Sequence, residues 1–287
     1  MKLSITVSEP CGPQAPFVLQ GDYACQIELA RELGYDYVEL HIRDPKALDV
    51  AGIKRSLQAT GIRVTTIGTG LGFVRDRLNM MDPDPAVRRA AVTRIRSQIE
   101  LGAEWDAAII IGSMKGSLPA DPGQHETAQG WMLDCLQEVL ETAAEHRVRI
   151  ALEAINRYET NFLNRGVTAA AVTERLNSDY LGILLDTFHM NIEEVDLSET
   201  FRQCAPRLIH VHLADSNRWP AGMGHLDFTA ILTELQQIGY AGALGIECLP
   251  LPAPERAAQQ TLRHLQPILA RIEAGGNHGN GGHETLA

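Results

Sequence analysis

Hydrophobic and polar positions follow one repeating order along the chain. An amphipathic stretch, a turn residue and a short apolar run recur in seven segments: IELARELGYDYVEL, IKRSLQATGIRVTTIG, SQIELGAEWDAAIIIG, VLETAAEHRVRIALE, AVTERLNSDYLGILLD, FRQCAPRLIHVHLAD and LTELQQIGYAGALGIE. The amphipathic stretches predict helices, and the near-continuous apolar runs predict parallel strands that are covered on both faces. With an opening strand over residues 3–7, the pattern predicts eight strands with a helix between each pair.

Glycine is the turn residue in four of the seven junctions, at Gly34, Gly61, Gly102 and Gly239. Glycine tolerates the left-handed conformation that commonly follows the last turn of a helix. In two of the other junctions the turn residues are Asn177-Ser178 and Pro206, which are the expected alternatives to glycine. Each helix is therefore expected to stop just before the next strand.

The number of units favours a closed barrel. The strands are predicted to end near Val7, His41, Ile67, Ile111, Glu153, Asp186, His212 and Glu247. Consecutive strand–helix–strand segments are βαβ units, and eight strands in such units favour a (β/α)8 TIM barrel over an open doubly wound sheet. No GxGxxG fingerprint follows the first strand, which argues against a dinucleotide-binding fold.

Residues 1–273 are expected to form this single barrel. The Gly- and Asn-rich tail 274–287 (AGGNHGNGGHETLA) has no apolar face to bury and is expected to be disordered. The long loop 113–124 (SMKGSLPADPGQ) is expected to be a surface excursion on the functional rim of the barrel.

Composition and charge exclude several classes of protein. Of the 287 residues, 45% are hydrophobic and 21% are charged, which is typical of a globular chain. The formal charge of −11 disfavours nucleic acid and anionic membrane surfaces as partners. No apolar run approaches the roughly 20 residues of a membrane span, and MKLSITVSEP does not have the pattern of a signal peptide. The five cysteines have no paired spacing, so we expect reduced thiols and a cytoplasmic location.

Polar residues end four consecutive predicted strands. Glu153 closes RIALE, Asp186 closes GILLD, His212 lies in LIHVHLAD and Glu247 closes LGIE. Neighbouring strands lie about 4.8 Å apart, and the active sites of TIM barrels lie at the C-terminal strand ends. Three carboxylates in such a place repel one another unless a cation lies between them. The oxygen and nitrogen donor set predicts a divalent metal, and it suits Mn²⁺, Mg²⁺ or Co²⁺.

Further polar residues lie in the loops that follow these strands. His189 and Arg218 are expected at the mouth of the site, and Glu159 lies in the loop after Glu153. His210 is expected to pack one layer below His212. Whether Glu39 and His41 on the second strand reach the cavity is left open by the sequence.

Four segments resemble those of the ketose 3-epimerases, namely LEAINRYETNFLN, LLDTFHMNIEE, HVHLADSNRWPAGMGHLDF and GIECLPLP. That group, which includes D-tagatose, D-allulose and L-ribulose 3-epimerases, belongs to the xylose isomerase-like superfamily of metal-dependent barrels. YVELHIRDP and TTIGTG are also similar to a 5-keto-L-gluconate epimerase branch. Near the first strand, SEPCGPQAPF stands where the D-tagatose type has an aromatic-rich entry.

The resemblance implies a ligand set, substrate contacts and an assembly. The implied metal ligands are Glu153, Asp186, His212 and Glu247. The implied substrate contacts are Glu159, His189 and Arg218. The resemblance also implies a homodimer or homotetramer.

The expected activity is divalent metal-dependent epimerisation of a free ketose at C3, such as L-ribulose, D-allulose, D-fructose or D-tagatose. A carboxylate removes the C3 proton, a cis-enediolate forms, and a second carboxylate returns a proton on the other face. Glu153 and Glu247 are the candidates for these two roles.

Several alternatives remain open. One is a 5-keto-L-gluconate epimerase, with Arg218 or Arg43 pairing with the substrate carboxylate. Others are an aldose–ketose isomerase such as hydroxypyruvate isomerase and a catalytically silent sugar-binding barrel. An endonuclease-IV-like DNA repair enzyme is more remote, because the net charge of −11 and the four-ligand set argue against it.

Overall fold

The computed structural model describes residues 1–276, and its parallel strands close into a barrel. Each barrel strand pairs with the next barrel strand along the chain. The last strand pairs back with the first, and this pairing runs from Lys2 opposite Ala243 to Ile5 opposite Ile246. The strands are β1 (Lys2–Ser8), β2 (Leu19–Gln20), β3 (Tyr37–His41), β4 (Arg63–Gly68), β5 (Ala108–Ile111), β6 (Ile150–Glu153), β7 (Leu181–Asp186), β8 (Leu208–Leu213) and β9 (Ala243–Ile246).

Helices connect the strands and cover the outside of the barrel. They are α1 (Tyr23–Leu33), α2 (Val50–Thr60), α3 (Gly70–Asp76), α4 (Pro85–Trp105), α5 (His125–His146), α6 (Gly166–Leu176), α7 (Thr187–Glu193), α8 (Leu197–Cys204), α9 (Phe228–Gln237) and α10 (Pro254–Gly276). Many begin at an aspartate whose side chain accepts a hydrogen bond from a backbone N–H of the first turn; Asp186 does this for α7. No helix within residues 1–276 is long and apolar enough to cross a membrane.

The predicted TIM barrel is confirmed, and each barrel strand ends within one residue of its predicted end. The two-residue strand β2, which pairs with the end of β1 beyond the last β1–β9 pair, was not predicted because it is too short to give a pattern. The predicted tail begins inside α10, and residues 277–287 lie outside the described part of the chain.

The loop over residues 113–124 departs from its prediction. It contains two single-turn 3₁₀ helices, Ser113–Lys115 and Pro122–Gln124, and the side chains of Met114 and Lys115 are fully buried. The solvent-exposed part of the loop is therefore confined to its later residues. The buried part of the loop lies at the rim of the barrel, where Lys115 is close to the carboxylates described below.

Gly102 is not a turn residue, although Gly34 and Gly61 do form left-handed helix ends as predicted. Gly102 lies inside α4, and Asp106 adopts the left-handed conformation after that helix. A Cβ at Gly102 would lie 2.8 Å from the carbonyl oxygen of Ala107 and 2.9 Å from Cδ1 of Ile109. The glycine is therefore needed for the close approach of α4 to β5.

Gly102→Ala is expected to lower the free energy of unfolding by up to about 2 kcal/mol, because the added methyl group overpacks a backbone contact at a cost of about 1–3 kcal/mol, which helix propensity offsets in part. Gly130→Ala is the matched control, since Gly130 also lies inside a helix (α5) but an added Cβ meets nothing within 4 Å. Helix propensity favours alanine by about 1 kcal/mol at both positions, so the two variants should shift in opposite directions. Urea unfolding measures both, and a stabilised Gly102→Ala protein would contradict the packing argument.

Candidate active site

Four of the predicted site residues meet at the C-terminal end of the barrel. Glu153 ends β6, Asp186 ends β7, His212 lies near the end of β8, and Glu247 follows β9. One potential ligand atom from each lies within 4.8 Å of the others, and all four residues are buried. The structure therefore brings these four side chains together, and we call them the carboxylate–histidine cluster.

Two atoms of this cluster have no hydrogen-bond partner among the described residues, Oδ2 of Asp186 and Nδ1 of His212. Oδ1 of Asp186 accepts a bond from the N–H of Phe188 (2.8 Å), so the cap of α7 uses one oxygen and leaves the other to the cluster. Nδ1 of His212 lies 3.6 Å from Oε2 of Glu247 and 3.8 Å from Oε1 of Glu153. Buried polar atoms without partners are costly. A divalent cation would satisfy both atoms, so the residues fit a metal.

The electrostatics of the cluster also fit a cation. Burial, followed by the charge of Glu247, raises the pKa of Glu153 to about 8, and burial raises the pKa of Asp186 to about 7. Burial would also raise the pKa of Glu247, but His212 and Arg218 lower it below its ordinary value. Burial would lower the pKa of His212, but the charges of Glu39 and Glu247 raise it well above its ordinary value. A cation would take the place of the protons that these groups hold.

His189 reaches the cluster from α7 with a defined tautomer. Its ring is buried, with Nε2 lying 3.8 Å from Glu153 and 3.7 Å from Asp186. The side-chain amide nitrogen of Asn156 lies 2.7 Å from Nδ1, so Nδ1 accepts and Nε2 carries the proton. Burial, followed by the charge of Arg218, keeps the pKa of His189 well below its ordinary value. The ring is therefore a neutral donor that points to the cluster.

Arg218 joins the rim of the site to the cluster. It donates from one nitrogen to Oε1 of Glu159 (2.9 Å) and from another to Oε2 of Glu247 (3.1 Å), and its guanidinium lies 4.8 Å from the ring centre of Phe188. Its backbone has a φ of 61°, a left-handed conformation that is strained for a residue with a side chain. The structure thus brings all three predicted rim residues, Glu159, His189 and Arg218, to the cluster.

Lys115 was missed by the sequence reasoning because it lies in a loop that reads as surface. Its side chain is fully buried, and its ammonium donates to the carbonyl oxygen of Gly112 (3.3 Å). Burial lowers the pKa of Lys115 to about 8, while the charges of Glu153 and Glu159 oppose that change. Lys115 therefore adds positive charge on the Glu153 side of the cluster.

Glu39 lies in the barrel below the cluster and is fully buried. It accepts hydrogen bonds from Nε2 of His41 (2.7 Å), His210 (2.8 Å) and His212 (3.1 Å). Burial would raise the pKa of Glu39, but the charge of His212 and these hydrogen bonds lower it well below its ordinary value. Of the two residues that the sequence left open, His41 lines the cavity and Glu39 lies beneath it. His210 packs below His212, as predicted.

A cavity of about 380 Å³ opens above the cluster, near the small end of the range for ligand pockets of about 300–1,000 Å³. Its floor includes Glu153, His189, Arg218 and Glu247. The outer wall is formed by the loop between β1 and β2 and by α3, which contribute Gln14, Phe17, Leu71, Val74 and Arg75.

The wall loop between β1 and β2 is held by the side chain of Gln20, the last residue of β2. Oε1 of Gln20 accepts bonds from the backbone N–H groups of Cys11 (2.8 Å) and Gly12 (2.9 Å). The amide nitrogen of Gln20 donates to the carbonyl oxygens of Gly12 and Phe17 (both 3.0 Å). These contacts fix the loop without using a residue of the cluster.

Comparison with known proteins identifies relatives of this chain. The family model of the xylose isomerase-like TIM barrel matches residues 27–268. A ketose 3-epimerase of Arthrobacter globiformis is 34% identical over 226 residues, which cover 77% of this chain and 75% of the relative. An L-ribulose 3-epimerase of Mesorhizobium japonicum is 34% identical over 224 residues, which cover 76% of this chain and 72% of the relative.

The fold is also similar to that of solved structures. The crystal structure of a D-allulose 3-epimerase from Methylomonas sp. in complex with D-allulose has a TM-score of 0.78 and 24% sequence identity, covering 93% of this chain and 98% of that one. With the family match over most of the chain, these relatives show that the protein belongs to the xylose isomerase-like TIM barrel family and, within it, to the ketose 3-epimerases, which are isomerases.

Proposed function

We propose that this protein is a divalent metal-dependent epimerase that inverts C3 of a free ketose. The observation that carries the proposal is the buried carboxylate–histidine cluster at the floor of the cavity, in which Oδ2 of Asp186 and Nδ1 of His212 lack partners among the described residues. The ligand set of Glu153, Asp186, His212 and Glu247 is made of oxygen and imidazole nitrogen, which favours Mn²⁺, with Mg²⁺ or Co²⁺ as alternatives.

Inversion at C3 requires the removal of a weakly acidic proton next to a carbonyl group. A bound divalent cation would supply Lewis acid stabilisation of the negative charge that develops on the sugar oxygens. Glu153 ends β6 and Glu247 directly follows β9, on either side of the adjacent strands β7 and β8. This placement lets the two carboxyl groups approach a sugar above the cluster from opposite sides, as an inversion needs.

The environments of the two carboxyl groups differ in the way that a base and an acid require. Arg218 and His212 favour the ionised form of Glu247, whereas burial favours the protonated form of Glu153. A pair of groups whose pKa values are moved apart can take a proton at one site and give one at the other. In the reverse direction of the reaction the two residues exchange these roles.

His189 and Arg218 are placed to donate hydrogen bonds to the reacting end of the sugar. His189 presents Nε2–H to the cluster because Asn156 occupies Nδ1. Arg218 is held between Glu159 and Glu247, and its bond to Glu159 keeps that rim residue near the cluster. These donors would bind the carbonyl and hydroxyl oxygens of the substrate as charge develops on them.

His189→Gln is expected to reduce kcat by about 10²–10³-fold, the usual effect of removing one donor to a developing oxyanion. The control is His125→Gln, because His125 bonds the carbonyl oxygen of Pro119 in a loop away from the cavity lining. Steady-state kinetics of both variants with bound metal measures the difference. A His189→Gln enzyme with the kcat of the wild type would remove this residue from the mechanism.

A free sugar fits the site better than a phosphorylated one. Barrel phosphate sites form from backbone N–H groups in the last loops. Here the buried carboxylate of Asp215 already accepts from the N–H groups of Ser216 (2.8 Å), Gly222 (2.8 Å) and Leu226 (3.1 Å) in the loop after β8. A negative charge in this position would repel a phosphate.

A keto sugar acid, such as 5-keto-L-gluconate, is the second candidate substrate. Arg75 lines the outer wall of the cavity, where its side chain donates to the carbonyl oxygen of Pro10 (3.3 Å) and is exposed. Arg43, which the sequence suggested for this purpose, instead pairs with Asp76 outside this cavity. Arg75 is thus the residue that favours a substrate with an anionic distal end.

Proton NMR in D₂O tests the proposal. Metal-free protein would be incubated with and without Mn²⁺ in the presence of L-ribulose, D-allulose, D-tagatose, D-fructose, 5-keto-L-gluconate or hydroxypyruvate. We expect metal-dependent deuterium entry at C3 together with the epimer. Exchange only at C1 or C2 would indicate an aldose–ketose isomerase, and metal binding without any exchange would indicate a catalytically silent barrel.

Assembly as a homodimer or homotetramer is also part of the proposal, and its support is the resemblance to the ketose 3-epimerases. Light scattering coupled to size-exclusion chromatography of the full chain would give the mass of the particle. A monomer over the whole range of concentrations would contradict it.

A further inference from the structure

The carboxylate of Glu39 is enclosed by three imidazole rings directly below the carboxylate–histidine cluster. It belongs to β3, whereas His210 and His212 belong to β8. Because a carboxylate can only accept hydrogen bonds, the Nε2 atoms of His41, His210 and His212 must each carry a proton. One of these rings, His212, also belongs to the cluster above.

We propose that Glu39 is a positioning residue that holds the proton of His212 on Nε2, keeps Nδ1 directed at the cluster, and thereby sets the affinity of the site for a divalent cation. The inference deepens the proposed function and rests on its metal site. Nδ1 of His212 has no hydrogen-bond partner among the described residues and lies 3.6 Å from Glu247 and 3.8 Å from Glu153. A buried carboxylate behind a metal-binding histidine is a general means of fixing the orientation and basicity of its ring.

The neighbouring strands leave room for this arrangement. A Cβ at Gly245 on β9 would lie 2.8 Å from Nε2 of His210 and 2.8 Å from Cδ2 of His212. A Cβ at Gly68 on β4 would lie 2.3 Å from Nδ1 of His41. Two different strands therefore lack a side chain at the places that the imidazole rings fill.

A fourth donor to Glu39 comes from β4. The hydroxyl group of Thr66 donates to Oε2 of Glu39. Because both oxygens of Glu39 already accept bonds from rings at 2.7–3.1 Å, the hydrogen-bond network satisfies this carboxylate without a cation. The close approach of Glu39, His210 and His212 also raises a second cation site as an alternative, which the test below separates.

The first test is Glu39→Gln in the full-length, metal-free protein. Glutamine keeps the volume, but its amide NH₂ cannot accept from a ring N–H, so His212 loses a defined acceptor. We expect the Kd for Mn²⁺, measured by isothermal titration calorimetry, to rise about 10–100-fold. The electron paramagnetic resonance spectrum of bound Mn²⁺ should change as well, which a purely structural role would not cause.

Glu234→Gln is the matched control. Glu234 is also a buried glutamate, and it pairs with Arg202 on the outer helices (2.6 Å), away from the cluster. It tests whether the loss of any buried carboxylate weakens metal binding. We expect the Kd for Mn²⁺ in this variant to stay within twofold of the wild type.

Thr66→Val keeps the inference testable where Glu39→Gln does not fold. Valine has nearly the same shape and removes one donor to Glu39, while all three histidines remain. We expect a rise in the Kd for Mn²⁺ that is smaller than that of Glu39→Gln and larger than twofold.

The outcomes separate this inference from the proposed function. A wild-type protein that binds no Mn²⁺ would overturn both. A wild-type protein that binds two ions per chain would make Glu39 a ligand and overturn the inference alone. The inference alone would also be overturned if the wild type binds a single ion and the folded Glu39→Gln protein has an unchanged Kd for Mn²⁺. If Glu39→Gln does not fold, an unchanged Kd in Thr66→Val has the same consequence.

Discussion

Replacing Glu247 by glutamine is expected to reduce deuterium entry at C3 and formation of the epimer by about 10²–10⁴-fold, the contribution of a positioned base or acid. The amide keeps the size of the side chain but can neither take nor return a proton. Glu153→Gln should lose activity to a similar extent. Because each group is the base in one direction and the acid in the other, both variants should be impaired with either epimer as the substrate.

The bound metal in each variant must be counted, since both residues also belong to the proposed ligand set. A variant that retains one Mn²⁺ and loses exchange identifies a proton-transfer role, whereas a variant that loses both identifies a ligand role. Glu193→Gln is the control, because Glu193 pairs with Arg157 on the rim and does not line the cavity. Near-wild-type exchange in either Glu153→Gln or Glu247→Gln would make the two-carboxylate assignment wrong.

Removal of the metal with EDTA is expected to abolish turnover and to lower the Tm, and Mn²⁺ should restore both. The cation would relieve the repulsion among the buried carboxylates, and it would therefore bind the folded state in preference to the unfolded chain. At a free concentration of about 1,000 times the Kd, such a ligand stabilises a protein by about 4 kcal/mol. Differential scanning calorimetry with and without Mn²⁺ measures the change.

Asp186→Asn is a sharp control for this effect. Asparagine is as good an N-cap as aspartate, so α7 should keep its start while the charge at the cluster is lost. The Tm of this variant should respond little to Mn²⁺, although its metal-free form remains folded. A wild-type protein whose Tm and activity are unaffected by chelation would contradict the metal site.

The affinity for Mn²⁺ is expected to fall as the pH is lowered from 8 to 6. The pKa of Glu153 is raised to about 8 and that of Asp186 to about 7 in the metal-free protein, so protons occupy these groups below those values. The cation must displace them, and the energy of that displacement grows as the pH falls. Calorimetry in two buffers with different ionisation enthalpies would detect the released protons, and an affinity independent of pH would contradict this expectation.

The barrel and its cluster were predictable because both leave a local signal. Each inner strand is an apolar run, and Glu153, Asp186 and Glu247 each interrupt the pattern at the end of such a run. The order of βαβ units then places these strand ends side by side. The distance between Glu153 and Glu247 along the chain does not matter for this inference, since the topology alone makes them neighbours of the same cavity.

The network around Glu39 could not be derived in the same way. Glu39 stands inside an apolar run, and its partners His210 and His212 lie more than 170 residues away, so only the packed barrel reveals that the three meet. The alternation in YVELH and HVH is the signal that points both groups to the barrel interior. Lys115 gave no such signal, because it lies in a loop with two prolines and two glycines, and the carboxylates that act on it, Glu153 and Glu159, belong to a later segment of the chain.

The side chain of Gln20 holds the backbone of the wall loop between β1 and β2 through four hydrogen bonds. Among the contacts described above, this loop shares no hydrogen bond with the cluster. Phe17 is the residue that joins the segment to the strand ends, because its ring centre lies 4.2 Å from that of His41. The rest of the segment can be exchanged without touching the cluster. Substrate range can then diverge by replacement of one short stretch of sequence. For directed evolution, a library limited to residues 11–16, with Phe17 and Gln20 retained, is the first place to search for activity on a new ketose.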